Sequence, residues 1–319
     1  MSIQFLVTGS INMDLVVATD HLPKTGETTT ALQFSTLFGG KGANQAVALG
    51  RLRGENGPSI YMAGKIGPDD WGIQCKKNLI EQGIDCSYVG ISQASTGIAL
   101  IEVDSTGNNR IIVVPGANQT MDTTWTKPCL DTLLTEQPMI ALFQFEVPRE
   151  TVAYCAQRIH KAGGIVIVDP APPDTIGDQW ATSIDYLTPN QRETEALTGH
   201  YPDSPEAVDR AARVLLSKGI KNVIIKAGAS GAWLITHDYT LYCPAFPVSV
   251  VDTTAAGDSF NAGFAWALGE HKSLPEALRY ACAVGSLSTT SMGAQKAMPD
   301  ANSVEALLQA WPKIASRQL

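Results

Sequence analysis

The clearest indication of the fold class is the stretch IALFQFEVPRETVAYCAQRIHKAGGIVIVD, residues 140–169. It begins with a short apolar run at 140–143, continues with an amphipathic segment at 149–162 and ends with a run of β-branched residues at 165–169. Short apolar runs of this kind predict buried strands, and apolar residues at helical spacing predict a helix. A strand, a helix and a second strand in this order predict two parallel strands joined by a crossover helix.

The same alternation continues through most of the 319 residues. We predict further strands at 3–8, 60–63, 186–188 and 223–226, and further helices at 43–53, 71–82, 191–197, 205–218, 256–268, 274–290 and 303–314. The pattern predicts an α/β fold in which a mainly parallel central sheet lies between two helical layers, a three-layer α/β/α sandwich. Such sheets bind ligands outside the carboxyl ends of their strands.

Two extended segments interrupt the alternation, at 28–38 and 97–115, and the second predicts a hairpin that turns at 105–108. The first separates strand one from helix one, so we expect it to lie over the strand ends, where a lid belongs. Repeats, linkers and low-complexity tracts are absent from the sequence. We therefore expect one domain over 1–319, with a small β lid formed from about 13–38 and 96–115.

Composition excludes several classes of protein. The net charge of −8 and the pI near 5.1 come without any Lys/Arg cluster, which argues against nucleic-acid binding. With 44% hydrophobic and 17% charged residues the chain is too apolar to be disordered. It has neither a membrane-span pattern nor a signal-peptide pattern, so we expect a soluble cytoplasmic protein without a membrane partner. Six scattered cysteines without a CxxC pair predict buried, reduced thiols.

The segment VVDTTAAGDSFNAGFAWAL, residues 250–268, carries the clearest chemical pattern. The small residues Ala255, Ala256 and Gly257 precede Asp258 and an apolar-periodic helix. Small side chains leave the first N–H groups of a helix free to bind an anion, which the helix dipole also favours. Asp258 beside such an anion hole is the base that a phosphoryl transfer to a hydroxyl needs. Asp258 as a simple helix cap explains the local pattern equally well.

Two look-alike motifs fail on single residues. GDSFN, residues 257–261, misses the GxSxG nucleophile elbow because Asn261 replaces the second glycine, which makes a hydrolase a weak hypothesis. FGGKGANQAVALG, residues 38–50, matches neither Walker A nor GxGxxG, since Gln45 replaces the last glycine. It is still a glycine-rich loop before a helix, in which Lys41 and Asn44 offer donors to hydroxyl groups.

Together these motifs resemble the ribokinase-like (PfkB) carbohydrate kinases. The resemblance spans essentially the whole chain and rests on ordered motifs: GSINMD, KTGETTT, GGKGANQAVALGRL, STG, PGAN, QFE, DPAPP, TPNQRETEALTG, KAGASG, DTTAAGD and GAQ. It implies ATP-dependent phosphorylation of D-ribose at O5, giving D-ribose 5-phosphate and ADP. Asp258 would then be the general base, and the backbone of Ala255, Ala256 and Gly257 the anion hole.

Other activities on this fold stay open. A fructokinase, a 2-keto-3-deoxygluconate kinase or an adenosine or other nucleoside kinase would use the same anion hole and base. Pocket shape and lid contacts set such specificity, and sequence predicts them poorly. A catalytically silent sugar-binding protein is the third alternative, against which the intact Asp258, Gly257, Asn190 and Glu193 argue.

The resemblance also assigns ligand-binding residues. The sugar would be held by Asn12, Asp14, Gly40, Lys41, Gly42, Asn44, Glu146 and Asp258. The family associates Asn190 and Glu193 with Mg²⁺ and phosphate placement, and a carboxylate can hold this ion through its waters. ATP would contact Lys226, Gly228, Gly231 and Gly257, and Cys282 takes the position of an adenine contact that is often His or Asn in relatives.

A potassium site and a dimer are further implications of the resemblance. The potassium ligands would be Asp252, Thr254, Ser288, Ser291 and Gly293, mostly through backbone oxygens. The last family ligand is often Ser, and Ala297 stands in its place, so we expect a weaker site. Because lid strands expose edges that proteins commonly pair or cover, we also expect a homodimer through the β lids.

Overall fold

The computed structural model describes residues 3–54, 57–134 and 137–318. Its strands are β1 Gln4–Thr8, β2 Asn12–Ala18, β3 Gln33–Gly39, β4 Ile60–Ile66, β5 Val89–Ile91, β6 Gly97–Val103, β7 Asn109–Val114, β8 Met139–Gln144, β9 Ile165–Asp169, β10 Tyr186–Leu187, β11 Val223–Lys226, β12 Ala232–Ile235, β13 Thr240–Cys243 and β14 Arg317–Gln318. Its α-helices are α1 Lys41–Arg53, α2 Asp70–Glu81, α3 Thr123–Leu133, α4 Arg149–Lys161, α5 Asp178–Ala181, α6 Gln191–Thr198, α7 Pro205–Leu216, α8 Ala256–Gly269, α9 Leu274–Ser288 and α10 Ala301–Ala310.

The large sheet has the strand order β14-β13-β12-β11-β10-β9-β8-β1-β4-β5. The strands from β11 to β5 pair in parallel, whereas β12, β13 and β14 add antiparallel at one edge. The stretch 140–169 forms β8, α4 and β9, and these two strands are parallel neighbours as predicted.

Two apolar cores lie on opposite faces of this sheet, because successive residues of a strand point to opposite sides. On β8, Ile140 and Leu142 join the core that contains residues of α1, α2, α8, α9 and α10. Ala141 and Phe143 join the other core, with residues of α3, α4, α5 and α7. The three-layer α/β/α prediction is confirmed.

A second, four-stranded sheet has the order β3-β2-β6-β7. The strand β2 begins shortly after β1 ends at Thr8, and β3 ends at Gly39, just before α1. The small sheet is therefore connected to the large sheet at the side where the parallel strands have their carboxyl ends. The predicted hairpin is present, with β6 and β7 antiparallel on either side of a turn that begins at Asp104.

The differences from the predicted elements lie in weakly patterned segments. The prediction missed the short strands β5, β12, β13 and β14, the short helix α5, and also α3, which contains Pro128. The last helix covers Ala301–Ala310 instead of 303–314. Asp300 starts it earlier by accepting a hydrogen bond from the Ser303 N–H at 2.8 Å. Pro312 ends it earlier, since the residue before a proline is disfavoured in helical conformation.

All six cysteines are buried free thiols, as predicted. Within the ranges described, none of the helices combines the length and apolar character needed to cross a bilayer.

Phe264 tests how much of the fold depends on packing between α8 and the sheet. Its ring is fully buried and meets the ring of Tyr186 edge-on at 4.9 Å between centroids. We expect Phe264→Ala to lower the free energy of unfolding by about 3–5 kcal/mol in equilibrium urea unfolding. Ile80→Ala is the control, because that side chain on α2 is 55% exposed. Equal effects of the two substitutions would contradict the assignment of the core.

Candidate active site

Three strands of the large sheet end in polar residues that share one face. Gln144 ends β8, Asp169 ends β9 and Lys226 ends β11. Each follows the apolar residues of its strand by two positions, so it continues the face on which α1 and α8 pack. Gln144 and Asp169 are also register partners on neighbouring strands. The fold thus places polar chemistry at the carboxyl ends of the strands, where α/β sheets bind ligands.

Asp258 lies in the first turn of α8 and is only 4% exposed. Two consecutive side chains of α1 donate to its carboxylate. Asn44 Nδ2 lies 3.1 Å from Oδ2, and Gln45 Nε2 lies 3.1 Å from Oδ1. The glycine-rich loop with its helix and the DTTAAGD segment therefore form one site.

The charges around Asp258 act in opposite directions. Burial raises the pKa of Asp258 above its ordinary value, and Asp169 adds to this effect. The cation of Lys41 and the amides of Asn44 and Gln45 lower the pKa and so favour the carboxylate. For Lys41, burial alone would lower the pKa, but Asp258, Asp169 and other nearby carboxylates outweigh it and raise the pKa. The site thus holds a charged lysine among carboxylates.

The N-terminus of α8 is open to an anion. Within the described residues no side chain caps it, the Ala256 N–H donates to the Thr253 carbonyl at 3.2 Å, and Ala255 precedes the helix in the left-handed region at φ 59°. A β-carbon at Gly257 would lie 3.4 Å from the Lys226 ammonium, so this cation sits beside the helix end. Lys226 is not a solvent-exposed strand-end lysine: its side chain is 12% exposed and its Nζ lies 3.1 Å from Asp169 Oδ1. A cation beside a positive helix end favours an anionic ligand between them.

Asn12 and Asp14 lie on β2, at the root of the small sheet. Asn12 is buried, and its Oδ1 accepts a hydrogen bond of 2.7 Å from Asn118 Nδ2. A β-carbon at Gly39 would lie 2.2 Å from Asp14 Oδ2, so only glycine leaves room for this carboxylate. Burial, with Glu146 and Asp258, raises the pKa of Asp14 to about 7.

The loop before α1 is tied to Glu146. Ser10 Oγ donates to Glu146 Oε2, and the Lys41 backbone N–H donates to the same oxygen at 3.1 Å. Gly40 has φ +86°, and a β-carbon at Gly42 would lie 2.7 Å from Ser10 N. Both glycines are thus required by backbone conformation and close approach.

Asn190 and Glu193 form a capping box at the start of α6. Glu193 Oε2 accepts from the Asn190 N–H and Oε1 from Asn190 Nδ2, each at 2.7 Å. Both oxygens are therefore committed to the helix cap. This pair fits a role in holding the waters of a cation better than a role as a direct ligand.

The other predicted nucleotide residues differ in accessibility. A β-carbon at Gly228 would meet open space, which is compatible with a ligand there. At Gly231 it would lie 2.1 Å from the Cys243 carbonyl, so the protein backbone itself requires this glycine. Cys282 is 4% exposed, and its Sγ lies 3.8 Å from the Cys243 carbonyl. This placement gives no support to an adenine contact by the Cys282 side chain.

Three of the predicted potassium-site residues come together around one carboxylate. Asp252 Oδ1 accepts from Thr254 N at 2.9 Å, and Oδ2 accepts from Gly293 N at 2.8 Å. Ser288 is buried and donates to the Gly285 carbonyl at 2.9 Å, whereas Ser291 is exposed. The hydrogen bonds from Thr254 and Gly293 outweigh the effect of burial and lower the pKa of Asp252. A carboxylate whose pKa is lowered suits a cation.

The sequence analysis missed three residues at the centre of the site: Gln45, Gln144 and Asp169. Gln45 Nε2 contacts Asp169 Oδ2 at 3.4 Å as well as Asp258, and Gln45 Oε1 accepts from Gln144 Nε2 at 2.7 Å. The available signal was a polar residue ending an apolar strand on the same face, which Gln144 and Asp169 both show.

Comparisons with known proteins show the family to which this chain belongs. The model for the pfkB family of carbohydrate kinases matches residues 3–301. A ribokinase of Bacillus subtilis is 38% identical over 95% of this chain and 98% of its own length, and one of Haemophilus influenzae is 37% identical over 92% and 94%. The structure of Arabidopsis thaliana ribokinase complexed with ribose and ATP superposes with a TM-score of 0.88 at 36% identity, covering 97% of this chain and 99% of that one. The chain belongs to the pfkB family of carbohydrate kinases.

Proposed function

We propose that the protein transfers the γ-phosphoryl group of ATP to O5 of D-ribose, giving D-ribose 5-phosphate and ADP. One observation carries the proposal: a buried carboxylate, Asp258, lies in the first turn of a helix whose uncapped N-terminus faces a lysine. This arrangement brings together a base for a hydroxyl and a binding place for a phosphoryl group. The similarity to ribokinases over nearly the whole chain supports ribose as the substrate.

Asp258 acts as the general base on the sugar hydroxyl. Burial makes its carboxylate a stronger base, because it raises the pKa. Lys41, Asn44 and Gln45 favour the ionised form of the group, and the two amides orient it before the reaction. The proton of O5 passes to an Asp258 oxygen as the hydroxyl attacks the γ-phosphorus.

The phosphoryl group is stabilised by backbone N–H groups at the start of α8 and by Lys226. Catalysis of phosphoryl transfer is mainly positioning and electrostatics, so fixed donors beside a cation suit the task. Lys226, held by Asp169, lies beside Gly257 where its ammonium group can contact the phosphate, and Gly228 leaves room for ATP nearby.

The sugar is bound by Asp14, Asn12, Glu146 and the loop of Gly40 to Asn44. Carboxylates accept hydrogen bonds from vicinal hydroxyls, and the Lys41 and Asn44 side chains donate to them. The small sheet acts as a lid, because Asp14 projects from its root toward the site.

Two cations belong to the proposal. Mg²⁺, placed through its waters by the Asn190–Glu193 pair, supplies charge neutralisation for the phosphates of ATP. A potassium ion, held by Asp252 with oxygens of Thr254, Ser288, Ser291 and Gly293, supplies positive charge near the anion hole. Ala297 lacks the hydroxyl of a serine, so we expect potassium activation to be weak.

A homodimer through the lids and a cytoplasmic location complete the proposal. Leu32, Phe34, Ile111 and Ile112 of the small sheet and its connection are 55–71% exposed, an apolar surface suited to a second copy. Six unpaired cysteines and a need for ATP suit the cytoplasm.

Replacing the base tests the mechanism. We expect Asp258→Asn to lower kcat by about 10²–10⁴-fold, the usual contribution of a general base, with little change in sugar affinity. A coupled assay of ADP release measures kcat, and calorimetry measures ribose binding. Asp238→Asn is the matched control, because Asp238 is exposed and remote in the turn before β13. Turnover close to that of the unmodified protein in the Asp258 variant would eliminate the mechanism.

A substrate panel separates this activity from the alternatives. The same assay is run with ribose, 2-deoxyribose, fructose, 2-keto-3-deoxygluconate and nucleosides, with and without potassium. We expect the highest kcat/KM for ribose. A preference for a nucleoside or for fructose would move the protein to another activity of its family, and no turnover of any substrate would favour the silent sugar-binding protein.

Asp14 predicts a pH dependence. Its pKa of about 7 means that the carboxylate is protonated below neutral pH and then loses acceptor capacity for sugar hydroxyls. We expect kcat/KM for ribose to fall as pH decreases through about 7, and we expect Asp14→Asn to give a low kcat/KM without this step. Asp104→Asn in the turn of the same sheet is the control, because hydrogen bonds to Thr106 and Asn108 lower the pKa of Asp104 to about 2. A step that survives in Asp14→Asn would assign it to another group.

The exposed strand β7 predicts the oligomeric state. We expect the protein to sediment as a dimer at micromolar concentration and the double variant Ile111→Lys/Ile112→Lys to sediment as a monomer, because buried ammonium groups would oppose the interface. Ile73→Lys is the control, since Ile73 is equally apolar and 61% exposed on α2. An unmodified protein that is monomeric would refute the dimer.

A further inference from the structure

Gln45 lies between two buried carboxylates. Its Nε2 is 3.1 Å from Asp258 Oδ1 and 3.4 Å from Asp169 Oδ2. The side chain itself is 1% exposed, and Asp169 and Asp258 are 1% and 4% exposed. An amide nitrogen carries two hydrogens, so each carboxylate can receive one of them. The Gln45 amide is thus the direct link between the proposed base and the carboxylate that holds Lys226.

Gln144 fixes which way the Gln45 amide points. Two carboxylates can only accept, so they require the NH₂ side of Gln45 to face them. The carbonyl side, Oε1, then faces Gln144 and needs a donor, which Gln144 Nε2 supplies at 2.7 Å. A flipped Gln45 would place its oxygen against two anions and its NH₂ against a donor. The hydrogen bonds of Gln45 with the two carboxylates and with Gln144 therefore all require the same orientation of the Gln45 amide.

The backbone leaves the Gln144 amide little freedom. Gln144 is fully buried at the end of β8, in register with Asp169 on β9. A β-carbon at Gly9 would lie 1.9 Å from Gln144 Oε1, so the glycine at the end of β1 makes the space that this amide occupies. The position of Gln144 at the end of β8 and the space at Gly9 thus bring its amide nitrogen within hydrogen-bond distance of Gln45.

We infer that Gln45, oriented by Gln144, is the positioning residue of the base: its amide nitrogen bridges Asp258 and Asp169 and holds the Asp258 carboxylate in the orientation that the proposed base needs. The inference deepens the proposed kinase mechanism and rests on it. Two buried carboxylates in one site ordinarily repel, so that one of them takes up a proton. The shared donor favours the ionised form of Asp258, which the proposed base requires, while Asp169 pairs with Lys226.

The remaining charges that face Asp258 do not replace Gln45. Lys41 on α1 is partly buried and favours the Asp258 carboxylate, while Asp169 on β9 opposes it. Asp14 on β2 interacts with Asp258 as a further negative charge. Within the described residues, Asn44 is the other direct donor to Asp258, and it reaches Oδ2 but not Asp169. Gln45 alone among these groups contacts both carboxylates.

Gln45→Met tests the inference, since methionine keeps the length and volume of the side chain and removes both polar atoms. We expect the pH below which kcat falls to move upward by about one to two units, the usual effect of losing a hydrogen bond to a charged group. The loss of kcat should be about 10-fold or more near neutral pH and should shrink as pH rises, while KM for ribose changes little. A loss of kcat that is the same at every pH, or no loss, would overturn the inference.

Thermal unfolding gives a second readout that does not depend on turnover. The Gln45 hydrogen bond lowers the pKa of Asp258, so it contributes stability at pH values where Asp258 is ionised. We expect the Tm deficit of Gln45→Met to be larger at high pH than at low pH, and a pH-independent deficit would contradict the inference. If the unmodified protein phosphorylates no sugar, the proposed function fails, but this comparison still tests the contact.

Gln144→Met tests the orientation step. It leaves Gln45 in place without its donor, so we expect a shift of the kcat profile in the same direction but smaller. In the double variant Gln45→Met/Gln144→Met we expect no shift beyond that of Gln45→Met alone, because both act through one chain of contacts. If the shifts of the kcat profile in the two single variants added up in the double variant, the inference that Gln144 acts through Gln45 would be wrong. Gln157→Met on the exposed surface of α4 is the matched control and should leave the profile unchanged.

Discussion

The buried carboxylate of Asp258 is the constraint on which the rest of the site depends. A carboxylate removed from water is costly unless donors and a cation compensate it. Here the donors come from Asn44 and Gln45 and the cation is Lys41, all from α1. Gln45 and Asn44 are 213 and 214 residues from Asp258 in the sequence. Compensating one charge therefore forces α1 against α8 and joins the two most informative motifs into one site.

The sheet provides the second half of the same arrangement. The apolar residues of β8, β9 and β11 alternate between two cores, and the face shared with α1 and α8 ends in Gln144, Asp169 and Lys226. Each of these strands thus carries apolar core residues along its length and a polar residue of the candidate site at its carboxyl end. Because the strands are parallel, the three side chains lie at the same edge of the sheet, and Lys226 on β11 reaches past β10 to pair with Asp169 on β9. A single polar substitution at a strand end can therefore alter the base, its partner or the phosphate site.

Several residues of the family motifs contact other parts of the protein and so have a structural role. Asn190 and Glu193 satisfy each other as a helix cap, so a substitution there would affect α6 as well as any cation. Gly231 is required by the nearby Cys243 carbonyl, and Cys282 is buried against the same carbonyl. These residues therefore support the local backbone. Lys226, by contrast, is more central than a strand-end lysine would suggest, since it pairs with Asp169 beside Gly257.

Local sequence patterns predicted the alternating strands and helices, the mainly parallel sheet and the hairpin of β6 and β7, and they singled out Asp258 at the start of a helix as a candidate base. These follow from local periodicity and from small residues at one helix start, which act over a few positions. The contacts of Gln45 with Asp258 and Asp169, and the ion pair of Lys226 with Asp169, became visible in the folded chain. They depend on the order and register of the strands and on how α1 and α8 pack on the sheet. No local pattern in the sequence encodes either.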